Sequence, residues 1–233
     1  QSALRYILGH LNPEDHFNVI AFSTGLESYA AGLRPAEEAP EALNWVDRLG
    51  AAGSTDINRA LLEAAAMVES ERPTYLIFLT DGLPTEGVVD SPQILENFAR
   101  QAPANLRLFA FGVGYDVDTY LLDSLSQAHH GSSTYVLPGE RLDEILSGFY
   151  ARISTPVLTD LELDFGEVPV YDLYPSPLPD LFKGSQIILA GRYRQGGTAT
   201  VRLSGRINGQ QQTFTFPEQF FPTSTSTEGV QAT

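Results

Sequence analysis

The spacing of apolar and polar positions changes near Pro156, and this change divides the chain into two parts. Before it, short apolar runs alternate with stretches whose apolar residues recur every three or four positions. That alternation is typical of parallel strands joined by crossover helices. The runs cover residues 17–22, 75–79 and 106–111. Because almost every position in them is apolar, they predict strands that helices cover on both faces.

Several stretches predict the helices around this sheet. Residues 57–68 place their apolar side chains on one stripe, as an amphipathic helix requires. Residues 3–8 and 142–153 carry the same period and predict a first and a last helix. Ser91 followed by Pro92 predicts an N-cap and a first helical position.

After Pro156 the period becomes two. Leu161, Leu163 and Phe165 alternate with acidic residues, which predicts a strand with one buried and one solvent-exposed face. Further on, Asn208-Gly209 predicts the tight turn of a β-hairpin. The second part is therefore expected to be an antiparallel sheet that forms part of a β-sandwich.

Two loops carry candidate chemistry. One contains Thr55 and opens the helix at Ile57, and the other contains Asp81 and follows the strand at residues 75–79. Ligands of open parallel sheets bind at the carboxyl ends of the strands. Short oxygen-bearing side chains on adjacent loops suit a hard divalent cation. Taken singly, Thr55 could cap a helix and Asp81-Gly82 could form a turn. Asp56 is better explained as a helix cap, or as a group in the outer shell of a metal, than as a direct ligand.

Composition excludes several functions. The 14 Lys and Arg against 29 Asp and Glu give a net charge of −15, which disfavours nucleic acid and anionic membranes as partners. No apolar run in this piece approaches the roughly 20 residues of a transmembrane helix. The absence of cysteine excludes disulfides and thiolate metal sites.

Other motifs do not favour catalysis or nucleotide binding. Gly112-Val113-Gly114 follows a strand, but Val117 stands where a dinucleotide loop needs its third glycine. His129-His130, with Gly131 as a C-cap, predicts a surface pair at a helix end, since no third zinc ligand has suitable spacing. No Gly-x-Ser-x-Gly motif is present, and we expect no enzymatic activity.

The loop Gly53-Ser54-Thr55-Asp56-Ile57, together with an apolar strand ending in Thr80-Asp81-Gly82, resembles the von Willebrand factor A (vWA) domain. The likeness is strongest to the inter-alpha-trypsin inhibitor heavy chains and their bacterial relatives. It implies an α/β fold with a doubly wound, mostly parallel sheet. The implied parts are a vWA domain at 1–155 and a hybrid-like β-sandwich segment at 156–222. The remaining residues, 223–233, are rich in Ser and Thr, which predicts a flexible tail.

The resemblance also implies a metal ion-dependent adhesion site (MIDAS) with Thr55 and Asp81 as metal ligands. Thr55 and Asp81 correspond to the family's second and third elements, and its first element, an Asp-x-Ser-x-Ser loop after the first strand, does not occur in this sequence. The helix at residues 3–8 corresponds to the one that follows that loop. We therefore expect the first strand, and the loop, to lie upstream of Gln1 in the natural protein.

The function implied is divalent-cation-dependent protein binding, in adhesion or scaffolding. The ion, Mg²⁺ or alternatively Mn²⁺ or Ca²⁺, would bind an acidic side chain of a protein partner. If the upstream loop is truly missing, we expect the domain to bind the metal weakly or not at all. The alternative is a structural or interaction domain with a vestigial metal site, which binds through the β-sandwich or an edge strand. The relatives favour an extracellular or bacterial-envelope location.

Overall fold

The computed structural model describes residues 2–23, 25–50, 53–69, 72–154, 156–182, 184–207 and 210–223. The chain forms two compact units, residues 1–154 and 155–233. The elements of the first unit are, in chain order, α1 (Ser2–Leu8), β1 (His16–Phe17), β2 (Ile20–Phe22), β3 (Leu26–Ser28), β4 (Arg34–Pro35), a 3₁₀ turn (Ala36–Glu38), α2 (Ala39–Val46), α3 (Ile57–Ala66), β5 (Thr74–Thr80), α4 (Ser91–Gln101), β6 (Leu106–Val113), α5 (Thr119–Ala128), β7 (Ser133–Val136) and α6 (Leu142–Ile153).

A three-stranded parallel sheet in the order β5-β6-β7 forms the middle of this unit. Thr80 of β5 lies beside Gly112 of β6, and Gly112 lies beside Tyr135 of β7. The three strands therefore end at the same edge, and the loops that follow them lie next to one another. The predicted α/β fold with a mostly parallel sheet is confirmed.

Helices cover both faces of the sheet, which makes it doubly wound. On one face, Leu108 and Ala110 of β6 lie in a buried cluster with side chains from α3, α4 and α5. On the other face, Phe109 and Phe111 contact the ring of Phe149 on α6, with ring centroids 4.8 and 5.0 Å apart. This double cover explains why the run at residues 106–111 is apolar at nearly every position.

The first predicted strand, residues 17–22, is not continuous. It is divided into β1, which pairs with β4, and β2, which pairs with β3, both antiparallel. The break falls at Asn18, whose side-chain oxygen accepts the backbone N–H groups of Val19 at 2.8 Å and Ala30 at 3.2 Å. The prediction of one strand was wrong because a polar side chain replaces backbone pairing at this point.

Strands β2 and β5 belong to separate sheets. Among the described residues, β2 pairs with β3 alone and β5 pairs with β6 alone. Contact between them is made by side chains, since the rings of Phe22 and Phe78 stack with centroids 5.3 Å apart. Each strand therefore has one edge that no described strand occupies.

Aspartates cap three of the helices. Asp56, Asp90 and Asp118 each accept a hydrogen bond from the backbone N–H three residues further on, at 3.0, 3.0 and 2.9 Å respectively. The predicted cap of Asp56 is confirmed. The predicted cap at Ser91 was wrong, since Asp90 holds that position and Ser91 is the first residue of α4. Both residue types are good caps, and the extended backbone at Asp90 decides between them.

The second unit is an antiparallel, partial β-sandwich, as predicted. One sheet has the order β10-β8-β12-β13, and β9 pairs with β11. Leu158, Leu161 and Leu178 form its buried cluster. The strands are β8 (Pro156–Asp164), β9 (Val170–Tyr174), β10 (Leu181–Phe182), β11 (Ala190–Tyr193), β12 (Gly197–Ile207) and β13 (Gln210–Phe221).

Strands β12 and β13 form the predicted hairpin, since Ile207 pairs with Gln210. The turn itself, Asn208-Gly209, and residues 224–233 of the predicted flexible tail lie outside the described residues. The register of the hairpin shifts near Pro217 and Glu218, where Glu218 has φ +56°. This is a β-bulge, which bends the strand and increases its twist.

Candidate functional site

The two loops predicted to carry chemistry lie side by side. The backbone N–H of Thr55 donates to the hydroxyl of Thr85 at 2.8 Å. In return, the carbonyl oxygen of Thr55 accepts the N–H of Thr85 at 3.0 Å and that of Glu86 at 3.3 Å. These hydrogen bonds join the loop that precedes α3 to the loop that follows β5. Thr55 is therefore positioned by the Asp81 loop itself.

Further contacts fix the same two loops. The Ser54 hydroxyl donates to the carboxylate of Glu86. The Asp56 carboxylate packs against Gly87, which has φ +67°, and a Cβ added there would lie 2.8 Å from the Asp56 oxygens. The backbone N–H of Asp56 donates to the carbonyl oxygen of Ser23 at 3.4 Å, which ties the loop to the end of β2. Short polar side chains and a glycine thus determine how closely the loops approach.

Asp81 follows the last residue of β5. The hydroxyl of Thr80, the preceding residue, is buried and donates to the carbonyl oxygen of Gly82 at 3.1 Å, which turns the chain sharply after the strand. Asp81 itself is exposed. A Cβ added to Gly82 would lie 3.6 Å from the hydroxyl oxygen of Thr55. The structure therefore brings Thr55 next to the residue that follows Asp81.

The Thr55 hydroxyl and the Asp81 carboxylate are available to a ligand. Within the described part of the chain, neither group has a hydrogen-bond or ion-pair partner. Both are hard oxygen donors of the kind that Mg²⁺ prefers. The donor type fits a divalent cation, but two side chains leave most of an octahedral shell to water or to other groups. No group of three or more His, Asp or Glu side chains with metal-binding geometry occurs among the described residues.

The neighbouring loop, after β6, is also polar. Asp118 caps α5, and its second oxygen accepts the hydroxyl of Ser91 from the start of α4. Asp116 is exposed. The carboxyl end of the sheet thus carries several acidic groups in addition to Asp81, and a cation bound there would meet a negative field.

The histidine pair departs from its prediction. His129 is the C-cap of α5 and packs edge-on against the ring of Phe98, with centroids 4.8 Å apart. Burial, and secondarily the charge of His130, lowers the pKa of His129 to about 4. The left-handed position belongs to His130, with φ +56°, and not to Gly131. A plain surface role was therefore wrong for His129, because its ring is partly buried against Phe98 of α4.

Sequence reasoning missed the contributions of Thr85 and Glu86. They lie 30 and 32 positions after their partners Thr55 and Ser54, so no local pattern links them. Only the packing of the loop before α3 against the loop after β5 brings them together.

Comparison with known proteins agrees with this architecture. Residues 1–135 match a family model described as the von Willebrand factor type A domain. The chain is 31% identical over 225 residues to inter-alpha-trypsin inhibitor heavy chain H1 of Bos taurus, covering 92% of this chain and 25% of that protein. It is 29% identical to heavy chain H2 of Homo sapiens, covering 82% of this chain and 21% of that protein. The chain thus spans about a quarter of the length of these relatives.

Solved structures are similar in fold. A von Willebrand factor type A protein from Catenulispora acidiphila has a TM-score of 0.69 and 18% identity, over 93% of this chain and 60% of that one. Proximal thread matrix protein 1 from the mussel byssus, with a zinc-occupied MIDAS motif, has a TM-score of 0.51 and 18% identity, over 63% of this chain and 38% of that one. In the part of the chain described here, no helix is long and apolar enough to cross a membrane.

Proposed function

This chain belongs to the von Willebrand factor type A domain family, and on that premise we propose that it is a divalent-cation-dependent protein-binding module. Thr55 and Asp81 are the proposed metal ligands. Mg²⁺ is the proposed ion, with Mn²⁺ or Ca²⁺ as substitutes. The ion would take an acidic side chain from a protein partner, in adhesion or scaffolding, and no catalytic step is involved.

The observation that carries this proposal is the joining of the two loops. The hydrogen bonds between Thr55 and Thr85 hold the loop before α3 against the loop after β5 that carries Asp81. Among the described residues, neither the Thr55 hydroxyl nor the Asp81 carboxylate has a hydrogen-bond or ion-pair partner. A bound cation supplies local positive charge. Without it, a partner's carboxylate would be repelled by a chain whose net charge is −15.

Two side chains cannot complete the shell of Mg²⁺, so further ligands are needed. We propose that they come from an Asp-x-Ser-x-Ser loop on an additional strand outside residues 1–233. The edges of β2 and β5 that face no described strand support this position. The vWA domain of residues 1–155 would then lack its first strand, with the hybrid-like segment at 156–222 after it.

A titration with Mn²⁺, followed by the NMR line widths of the ¹⁵N-labelled chain, tests the site. The paramagnetic ion is expected to broaden the amide signals of Thr55, Asp81 and Gly82 first. Asp81→Asn keeps the shape of the side chain but removes its charge, and it should raise the Mn²⁺ concentration required by about tenfold. Glu63→Gln, on the exposed face of α3, is the matched control and should leave the titration unchanged. First broadening at another acidic group, such as residues 140–144, would contradict the proposal.

The alternative is a structural or interaction domain with a vestigial metal site. The exposed strand β13, with Phe214, Phe216 and Phe220 accessible to solvent, favours it. Binding of a partner would then persist in EDTA and in the Asp81→Asn variant. For either function, an extracellular or bacterial-envelope location remains a prediction.

A further inference from the structure

Exposed large apolar side chains are confined to one end of the first unit. Among its described residues they all lie on the loops after β5, β6 and β7 or in the first turn of α5. Tyr115 and Tyr120 are the most exposed, at 78% and 62%. We refer to this set as the apolar rim, and its members are Leu83, Val89, Tyr115, Tyr120 and Leu137.

The register of the sheet brings the rim together. Thr80, Gly112 and Tyr135 form one row across β5, β6 and β7. Leu83 and Tyr115 each follow that row by three residues, and Leu137 follows it by two. Because adjacent strands lie about 4.8 Å apart, these side chains leave the sheet from neighbouring positions.

The rim borders the proposed metal ligands. Leu83 is two residues after Asp81 on the same loop, and that loop is hydrogen-bonded to Thr55. Exposed tyrosine and leucine side chains gathered at one end of a domain are typical of an interaction surface, whereas single ones scattered over a surface are ordinary. Tyrosine in particular provides large contact area at interfaces.

Charge selects the kind of partner. Asp90, Asp116 and Glu140 are exposed among the rim residues. Arg141, the guanidinium that follows Glu140, is already paired with Asp143 at 2.8 Å and with Glu144 at 2.9 Å. The rim therefore combines apolar side chains with carboxylates. It complements a segment that carries apolar and basic side chains, and it repels an anionic membrane.

We propose that the apolar rim docks a protein segment in which a large aromatic or aliphatic side chain stands next to an arginine or lysine. The proposal rests on the proposed function and deepens it, because the same segment would present the acidic group to the metal. Apolar contact would provide affinity, and the basic side chain would provide selectivity through Asp90, Asp116 and Glu140.

A phage-displayed library of random dodecapeptides, panned on the whole 233-residue chain in Mg²⁺, is the probe. Retained peptides should be enriched in aromatic or aliphatic residues adjacent to arginine or lysine. A double variant, Tyr115→Ser with Leu137→Ser, should retain them at least tenfold less. The matched control is Tyr174→Ser with Leu189→Ser, which changes two exposed residues of the second unit and should retain them as the natural chain does.

Equal retention by both double variants, or peptides lacking the paired apolar and basic residues, would overturn the rim proposal. So would rim-dependent sedimentation with phosphatidylcholine vesicles without peptide enrichment, since it would assign the rim to lipid. Asp81→Asn separates the two proposals. If peptide retention requires Mg²⁺ and Asp81 but not the rim residues, the result supports the proposed function and contradicts the rim proposal. If retention requires the rim residues but neither Mg²⁺ nor Asp81, it supports docking on the rim and contradicts the metal-dependent function.

Discussion

Thr55 and Thr85 exchange two hydrogen bonds across the loops before α3 and after β5. The Thr55 N–H donates to the Thr85 hydroxyl at 2.8 Å, and the Thr85 N–H donates to the Thr55 carbonyl at 3.0 Å. One of these bonds depends on a side chain and the other on backbone alone. The position of the proposed ligand Thr55 is therefore sensitive to the residue at 85.

Thr85→Val removes the hydroxyl and keeps the shape of the side chain. We expect the free energy of unfolding to fall by about 1 kcal/mol, since the Thr55 N–H loses its acceptor. Metal affinity should fall as well, because the loop that holds Thr55 loosens. Chemical denaturation and the Mn²⁺ titration measure the two effects. Thr85→Ser keeps the hydroxyl and is the control; an equal loss in both variants would contradict this role.

Gly87 is expected to tolerate no side chain. Its φ is +67°, and a Cβ there would lie 2.8 Å from the Asp56 carboxylate that caps α3. Gly87→Ala should lower the free energy of unfolding by about 2–3 kcal/mol, from backbone strain together with a displaced cap. Gly114 has φ +86° with nothing within 4 Å of its Cβ position, so Gly114→Ala isolates the strain. The Gly114→Ala control should lower the free energy of unfolding by only about 1 kcal/mol.

His129 should make stability depend on pH. Burial lowers its pKa from 6.5 to about 4, so the unfolded chain binds this proton more tightly than the folded chain does. The stabilisation is complete above pH 6.5 and is lost as the pH falls from there towards 4. Allowing for partial exposure of the ring, we expect a loss on the order of 1–2 kcal/mol.

The His129→Gln variant provides the comparison, because all carboxylates are retained. Chemical denaturation at several pH values should give the natural chain a steeper loss of stability than the variant over this interval. Parallel curves would exclude a contribution of His129.

Gly148 lies inside α6, and it is exposed with nothing within 4 Å of its Cβ position. Gly148→Ala should raise the free energy of unfolding by about 0.5–1 kcal/mol, because alanine loses less backbone freedom on folding. Thermal unfolding measures it. A decrease in the melting temperature would contradict this expectation.

The sequence predicts best those elements whose apolar positions follow a regular pattern. Strands β5 and β6 and helix α6 follow from apolar patterns, since both faces of the sheet are covered. Strand β7 was not predicted, because Ser-Thr-Tyr-Val is short and partly polar. The division of residues 17–22 depends on bonds from Asn18 to backbone 12 residues away, which no local pattern reveals.

The candidate site shows a similar division. Thr55 and Asp81 were selected from their loops and a family resemblance, and they remain predictions as metal ligands. The hydrogen bonds that join their loops, through Thr85 and Glu86, depend on how the loop before α3 packs against the loop after β5. Thr85 lies 30 residues after Thr55, and Glu86 lies 32 residues after Ser54, so the sequence alone does not pair them.

The bulge in β13 has a consequence for the behaviour of concentrated protein. Among the described residues, β13 has no strand on its outer edge, yet its register with β12 shifts at Pro217 and Glu218, and Pro217 has no backbone N–H to donate. A proline and a kink on an open strand hinder edge-to-edge pairing of that strand with strands of other molecules. Pro217→Thr should therefore promote aggregation in light scattering, whereas Pro222→Thr, beyond the strand, should not. The bulge therefore favours solubility, because it hinders pairing of this aromatic-rich strand with the same strand of another molecule.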